Sequence, residues 1–287
     1  MPGDWSLSYR GRDVPFGEST GVHVREAPSM GTLNLETEDT SLPRADGIAF
    51  GADYAGGRTI GLSLGIVGRD EAAARVRLEA LPLAWEDDEL RRTPGALATL
   101  VSDRGRRAFG RPRRFAPVDQ EPTAGYIVAE ADFETVDGRW YGPEESTRVT
   151  LVPPLGGGLV APLKSPVSTT ASSDRSRSFT VGGTVPTWLQ ATVQGPITTP
   201  ELEIVSLLRQ RYDATVAYDE QLQVDARPWV RSILRNGAGV GGILTRDSTR
   251  LSRALIPPGS YELVLRGVSA PGTASATLTW RNAYTTP

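Results

Sequence analysis

The chain has 287 residues, a net charge of −3, no cysteine and a single histidine, His23. This composition excludes a disulfide framework, thiolate metal sites, a cysteine nucleophile and any site built from several histidines. A net acidic chain is also a poor general binder of nucleic acid. No apolar run is long enough for a membrane span, and the N-terminus lacks the pattern of a signal peptide, which predicts synthesis in a cytoplasm and no membrane insertion.

The first half of the chain predicts several strands. Residues 59–66 give the clearest one, because four apolar residues alternate with small ones: Ile60, Leu62, Leu64 and Ile66. Further strands are predicted over residues 96–102, 106–115 and 125–134. Residues 39–53 are punctuated by polar residues, Pro and Gly, so the sequence predicts a long loop there.

One helix is predicted over residues 70–85. Asp70 is a good N-cap residue, and Glu71 favours the positive end of the helix dipole. Apolar residues then recur at helical spacing and predict one buried stripe: Ala74, Leu78, Leu81 and Trp85. Pro82 is expected to end or bend the last turn.

The middle of the chain predicts a domain boundary. Residues 151–162 contain prolines followed by three glycines, and a Ser/Thr-rich piece follows over residues 165–178. We expect a β-rich domain over residues 1–154 and a second domain over residues 155–287. The second half offers short candidate strands at fairly regular spacing, which is typical of a β-sandwich.

Candidate catalytic patterns in the sequence are weak. Residues 237–242 fit G-x-G-x-x-G, but no βαβ unit surrounds them, so a flexible loop is the better interpretation. His23 has no nucleophile elbow to serve. Asp132 and Glu134 share one strand face, which favours a solvated face over a glycosidase pair. We therefore predict no catalytic residue, no cofactor and no metal site.

Three tryptophans of the second half raise the possibility of a sugar-stacking platform. Aromatic residues also dominate sandwich cores. Trp280 continues an alternating apolar strand, which favours the core. Trp188 and Trp229 are the remaining candidates for a sugar contact.

An arginine run over residues 104–114 is the densest charge cluster. Its members are Arg104, Arg106, Arg107, Arg111, Arg113 and Arg114. It predicts a solvated hairpin, a protein interface or, least well on an acidic chain, a nucleic-acid contact. We favour the interface, because the planar guanidinium binds carboxylates bidentately, and the acidic residues 36–39 and 86–89 could serve as partners.

Several motifs along nearly the whole chain resemble one known family. They are, in order, the loop 46–53, the strand that starts at residue 57, the helix that reaches Trp85, and residues 91–95, 110–115, 131–138 and 140–142; in the second half they are 236–238, 256–259 and 280–284. This pattern resembles the distal tail protein, or minor tail protein, of long-tailed, non-contractile bacteriophages of actinobacteria. The specificity lies in the number and order of the motifs.

The resemblance implies a mainly β protein with two parts. An N-terminal β-sandwich or split-barrel domain with one packed helix would form a hexameric ring, and a C-terminal galectin-like β-sandwich would face outward. The ring would join the tail tube protein to the tail-tip hub, with the tape measure protein as a further possible partner, and the genome would pass through its lumen without specific binding. The protein would reside in the virion, at the tail tip, after assembly in the host cytoplasm.

A second hypothesis comes from a different class of protein. The chain could be a carbohydrate-binding module of a cell-wall-directed protein. In some members of the resembled family the sandwich carries a sugar-binding insertion, but the second half here is compact and shows no obvious extra domain.

Overall fold

The computed structural model describes residues 4–118, 125–151 and 176–287. The chain divides into two compact units: unit 1 is Met1–Pro143 with Tyr284–Pro287, and unit 2 is Glu144–Ala283. Both units are built mainly from β-strands, which confirms the predicted fold class. The boundary predicted between residues 154 and 155 lies outside the described residues and stays a prediction.

Unit 1 contains the strands β1 to β12, the start of β13 and two helices. Their bounds are β1 (Trp5–Tyr9), β2 (Arg12–Phe16), β3 (Val22–Val24), β4 (Ser29–Met30), β5 (Leu35–Thr37), β6 (Thr40–Ser41), β7 (Ile48–Ala49), β8 (Asp53–Ala55), β9 (Thr59–Val67), α1 (Glu71–Trp85), α2 (Asp88–Arg92), β10 (Ala98–Val101), β11 (Arg107–Pro117), β12 (Tyr126–Thr135) and β13 (Trp140–Thr150).

The sheet of unit 1 is antiparallel and includes β9, the strand that the sequence marks most clearly. Its strands follow the order β2, β1, β10, β11, β12 and β9, with β3 and β4 on the far side of β9. β9 pairs with β12 along its whole length, from Thr59 opposite Glu134 to Val67 opposite Tyr126. The apolar face of β9 is completely buried in the core of unit 1.

Helix α1 covers this core as the periodicity predicts. The Asp70 carboxylate accepts a hydrogen bond from the Ala73 amide at 2.8 Å and caps the first turn. Ala74, Leu81 and Trp85 are buried, and the Trp85 indole donates to the Asp132 carbonyl at 3.1 Å. Pro82 lies inside the helix, at the start of its last turn, and the helix ends at Trp85 as predicted.

Residues 39–53 are not a loop but the outer part of a two-stranded hairpin, which corrects the prediction. β5 pairs with β8 and β6 pairs with β7, all antiparallel. At the base, the Gly56 amide donates to the Asn34 carbonyl at 2.7 Å. The ladder forms because short extended segments flank the turn at Gly47, where a φ of 122° favours glycine. We call residues 34–55 the hairpin arm.

Unit 2 continues β13 and contains the strands β14 to β25. Their bounds are β14 (Ser176–Val181), β15 (Thr187–Trp188), β16 (Gln190–Gln194), β17 (Ile197–Ile204), β18 (Leu208–Arg211), β19 (Thr215–Val216), β20 (Gln221–Asp225), β21 (Ser232–Arg235), β22 (Ala238–Gly239), β23 (Leu255–Ile256), β24 (Gly259–Val268) and β25 (Ser275–Tyr284).

The described strands of unit 2 form a β-sandwich. One sheet has the order β13, β25, β16, β20, β21 and β22; the other has the order β14, β24, β17 and β18, with β19 on β17. Apolar side chains from both sheets form one core. Trp280 of β25 lies in it, with its ring centroid 5.1 Å from that of Phe179 of β14, which confirms its assignment to the core.

Candidate protein interface

The arginine run begins in the tight turn that joins β10 to β11. The Ser102 hydroxyl accepts hydrogen bonds from the amides of Arg104 and Arg106, and Gly105 adopts a φ of 72°. β11 then carries the rest of the run, with Ala108, Gly110 and Pro112 buried. Alternation places Arg107 and Arg111 on the opposite, outer face of the strand.

Two arginines of the run are used inside unit 1. Arg111 donates to the carbonyls of Ala96 at 2.8 Å and Thr93 at 2.6 Å, and so fixes the segment before β10. The Arg106 guanidinium lies 3.7 Å from the centroid of the Tyr284 ring, and its Nη1 donates to the Thr286 carbonyl at 2.9 Å. Both guanidinium groups therefore have partners within unit 1, and neither needs a second protein to bind it.

The other four arginines are less engaged. Arg113 lies at an irregularity of the ladder between Pro112 and Phe115, and its Nε is 2.6 Å from a carboxylate oxygen of Glu134. Among the described residues, no side chain or carbonyl pairs with the guanidinium groups of three arginines: Arg104, Arg107 and Arg114. The run is therefore not one cluster, because its unpaired members lie toward the two ends of β11.

The acidic segment at residues 86–89 is paired within unit 1. Asp87 caps α2 by accepting from the Leu90 amide at 2.8 Å, and each carboxylate lies beside an arginine. The pairs are Glu86 with Arg91 at 3.5 Å, Asp87 with Arg12 at 3.7 Å, Asp88 with Arg92 at 3.5 Å, and Glu89 with Arg10. This segment has no carboxylate left for the arginine run.

The hairpin arm has the opposite character. Every residue of 34–55 is exposed. The arm carries five carboxylates and one arginine, a net charge of −4, and no carboxylate of the arm forms an ion pair with a described residue. It also exposes large apolar side chains, with Phe50 84% exposed: Leu35, Leu42, Ile48, Phe50 and Tyr54.

From the sequence, only residues 36–39 of the arm are predicted as acidic partners, and the hairpin itself is missed. A usable signal was present, since Asp46-Gly47 is a turn dipeptide and apolar residues flank it as Leu42 and Ile48. The segments around the turn are two or three residues long, which is too short for their alternation to stand out. Their exposure depends on what packs against them, which no local pattern reports.

The two candidate sugar-contacting tryptophans have different surroundings. Trp188 is half-buried and packs against the core of unit 2, opposite Leu255 in the β15–β23 ladder. Trp229 is half-buried in a turn, with the Arg227 guanidinium 5.8 Å from its ring centroid. Core packing therefore accounts for Trp188 without a ligand.

In unit 2, two arginines lie beside the carboxylate of Glu201. The Arg209 Nη2 is 2.6 Å from the Glu201 Oε2, and Arg266 lies 3.7 Å from the other carboxylate oxygen. The hydrogen bond from Arg209 holds the pKa of the nearly buried Glu201 carboxyl below its usual range, against the opposing effect of burial. These side chains are paired with one another on the outer face of the sheet.

Two further kinds of site are missing from the described residues. In residues 4–118, 125–151 and 176–287, no helix is both long and apolar enough to cross a membrane. Within the same ranges, no three His, Asp or Glu side chains come together as metal ligands. Two surfaces carry exposed groups that have no partner among the described residues. They are the hairpin arm and the unpaired arginines at β11 and in the turn before it.

Comparison with known proteins gives a match at the level of fold. No family model and no curated protein matches the chain. The crystal structure of the Dit protein of phage SPP1, described as a paradigm of the hub adsorption apparatus of phages that infect Gram-positive bacteria, is 15% identical with a TM-score of 0.59. The match covers 97% of this chain and 98% of that chain.

Two structures of the phage p2 baseplate in its activated conformation also match. The structure with Ca has a TM-score of 0.51 and the one with Sr has 0.52; both matches are 11% identical and cover 96% of this chain and 97% of the other. The resemblance predicted from the sequence motifs is therefore confirmed in fold: the solved structures similar to this chain belong to a phage Dit protein and to phage baseplates.

Proposed function

We propose that this chain is a structural, non-enzymatic component of a bacteriophage tail tip, acting as a distal tail protein. The similarity of fold to Dit and baseplate structures extends over nearly the whole chain and supports this role. The hairpin arm is the observation in the molecule itself that supports assembly with other proteins.

An isolated two-stranded hairpin is marginally stable in water. The arm nevertheless has an ordered ladder, and it exposes Phe50, Ile48 and Tyr54 where a monomer gains nothing from them. Exposed apolar side chains grouped on one element are typical of a surface that another protein covers. The arm is thus suited to be buried against a neighbouring subunit.

In the proposed assembly, unit 1 forms a homohexameric ring that joins the tail tube to the tail-tip hub. A surface that contacts a different surface of the next copy repeats until the rotation closes, which makes a ring the natural product of such an arm. The genome passes through the lumen, and unit 2, as a galectin-like sandwich, faces outward. The protein is assembled in the host cytoplasm and remains in the virion.

Electron microscopy and native mass spectrometry of the purified chain, and of tails that carry it, test this assembly. We expect rings of six copies. Tails with one or two copies of the chain would contradict the ring. A chain that binds cell-wall polysaccharide but is absent from tails would favour the carbohydrate-binding module instead.

The arm can be removed without disturbing its base. Residues 35–55 are replaced by a two-residue Asn-Gly turn, which the hydrogen-bonded pair of Asn34 and Gly56 can flank. We expect a folded chain that no longer forms rings, because the core of unit 1 contains no residue of the arm. Rings formed as readily by this variant would show that the arm is not the assembly element.

The two proposed domains, residues 1–154 and 155–287, are tested by limited proteolysis. We expect the first cuts between residues 154 and 178, followed by two stable fragments. Early cleavage inside both halves, with residues 154–178 protected, would indicate a single fused domain.

A further inference from the structure

We propose that the hairpin arm of one copy lies across the outer face of β11 of the next copy, where its carboxylates pair with arginines that have no partner among the described residues of their own chain. This inference rests on the proposed ring and names the contact that would build it. It assigns the interface predicted for the arginine run, and the acidic partners of that run, to particular residues.

The first step is the charge balance within unit 1. Of its two acidic stretches, residues 86–89 pair with four nearby arginines, whereas no carboxylate of the arm forms an ion pair with a described residue. In the part of unit 1 that the structure describes, the Asp39 carboxylate accepts only the Gly51 amide, at 3.0 Å, and the carboxylates of Glu36, Glu38 and Asp53 have no ion-pair partner. The arm therefore holds several carboxylates without an ion-pair partner within a single hairpin.

The second step concerns the positive charge. Arg106 and Arg111 are held by carbonyl groups and a ring, so they are not available as partners. Arg104 and Arg114 are exposed and have no partner among the described residues. Arg113 forms an ion pair with Glu134, but its side chain is still about half exposed. Unmatched charges of opposite sign thus lie on two different elements of one chain.

The third step is the reach of the arm. Strands rise about 3.3 Å per residue, so β11 covers about 23 Å from Arg107 to Arg114, and Arg104 lies just before it in the tight turn. The arm, from its base at residue 34 to its turn near residue 44, spans about 33 Å. An arm laid along β11 is therefore long enough to reach the arginines at both ends of that strand.

The fourth step is the nature of the surface between these ends. Phe109 is half-buried on the outer face of β11, between Arg107 and Arg111. Its ring centroid lies 5.5 Å from that of Tyr141, and the part of the ring that remains exposed offers an aromatic surface for the exposed Phe50 of an arm. Arginine–carboxylate pairs around such a contact would fix its register, since bidentate geometry specifies orientation as well as attraction.

The partner is a second copy because the two surfaces are different and belong to the same chain. A contact of arm to β11 is heterologous, and it leaves on each copy one free arm and one free β11 face for the next copy. The interface of a closed ring has this form.

Charge reversal tests the contact. One variant combines Glu36→Arg with Glu38→Arg, a second combines Arg104→Glu with Arg114→Glu, and a third contains all four changes. We expect each double variant to weaken self-association by about tenfold or more, and the fourfold variant to recover most of the wild-type association. Sedimentation velocity over a concentration series and native mass spectrometry measure the loss of self-association and its recovery.

The matched controls are Arg25→Glu and Glu26→Arg, since both residues are exposed and have no ion-pair partner among the described residues. We expect normal rings from both. Rings that are unaffected by either double variant, or double variants that are not rescued by combination, would overturn this contact and leave the proposed ring intact. A wild-type chain that forms no ring at any concentration would overturn both.

Discussion

The hairpin arm and strand β9 follow one another in the chain, yet they meet opposite environments. The apolar residues of β9, from Ile60 to Ile66, are completely buried, whereas Phe50 of the arm is 84% exposed. β9 has neighbours on both edges and packs against α1. Among the described strands, those of the arm pair only with each other. An apolar side chain stabilises a fold only where a second layer covers it, so the arm contributes little until another protein does so.

The largest effect on the free energy of unfolding is expected for a substitution in the buried strand β9. Leu62→Ala in β9 should destabilise unit 1 by about 2–5 kcal/mol, because it removes methyl groups from a packed core and leaves a cavity. Urea denaturation checks this value. Phe50→Ala in the arm is the matched control, and a comparable loss there would mean that the arm is packed in the monomer.

The arginine run offers a second, smaller contrast. Arg111→Ala should cost about 1–2 kcal/mol, because the carbonyls of Thr93 and Ala96 lose their charged donor. Arg114→Ala should leave the stability of the monomer unchanged, since no described residue pairs with it. Thermal denaturation at low protein concentration compares the two variants, and equal losses would refute the division of the run into internal and free arginines.

The Glu201 carboxylate, which is paired within unit 2, should also make the stability depend on pH. The folded pKa of Glu201 is below its unfolded value, so the stabilisation is fully present above about pH 4.3 and is lost as pH falls through the folded pKa. Glu201→Gln should therefore be less stable than wild type at neutral pH, and this difference should shrink in acid.

Denaturation midpoints of unit 2 between pH 3 and pH 7 measure this convergence. Glu36→Gln in the arm is the control and should show no such effect. Parallel stability curves for wild type and Glu201→Gln would contradict the role of the Arg209 contact.

The smallest effect on folding is expected in the arm itself. Phe50→Ser should change the free energy of unfolding by no more than about 0.5 kcal/mol, as is usual for exposed positions. It should nevertheless weaken ring formation, because it removes the most exposed aromatic side chain of the arm. Analytical ultracentrifugation beside urea denaturation separates the two effects, and unchanged association would argue against burial of Phe50 in the assembly.

The sequence by itself determined the elements whose signal is local and periodic. The alternation of β9 and the stripe of α1 are written in residues two, three or four apart, and the Asp70 cap acts within its own turn. The order of short motifs also indicated the family whose fold the solved structures share. Such signals survive without knowledge of the rest of the chain, since backbone geometry fixes which neighbouring side chains share a face.

Only the tertiary structure decided which charged groups are paired within the chain and which apolar groups are buried. Arg111 and Arg114 belong to the same run, but only one of them reaches carbonyl groups of another segment. The acidic residues 86–89 and 36–39 look alike as sequence, yet the first group lies beside four arginines and the second lies on an exposed hairpin. Pairing and burial depend on residues far apart in the chain, so only the folded arrangement reveals which charges remain for a partner.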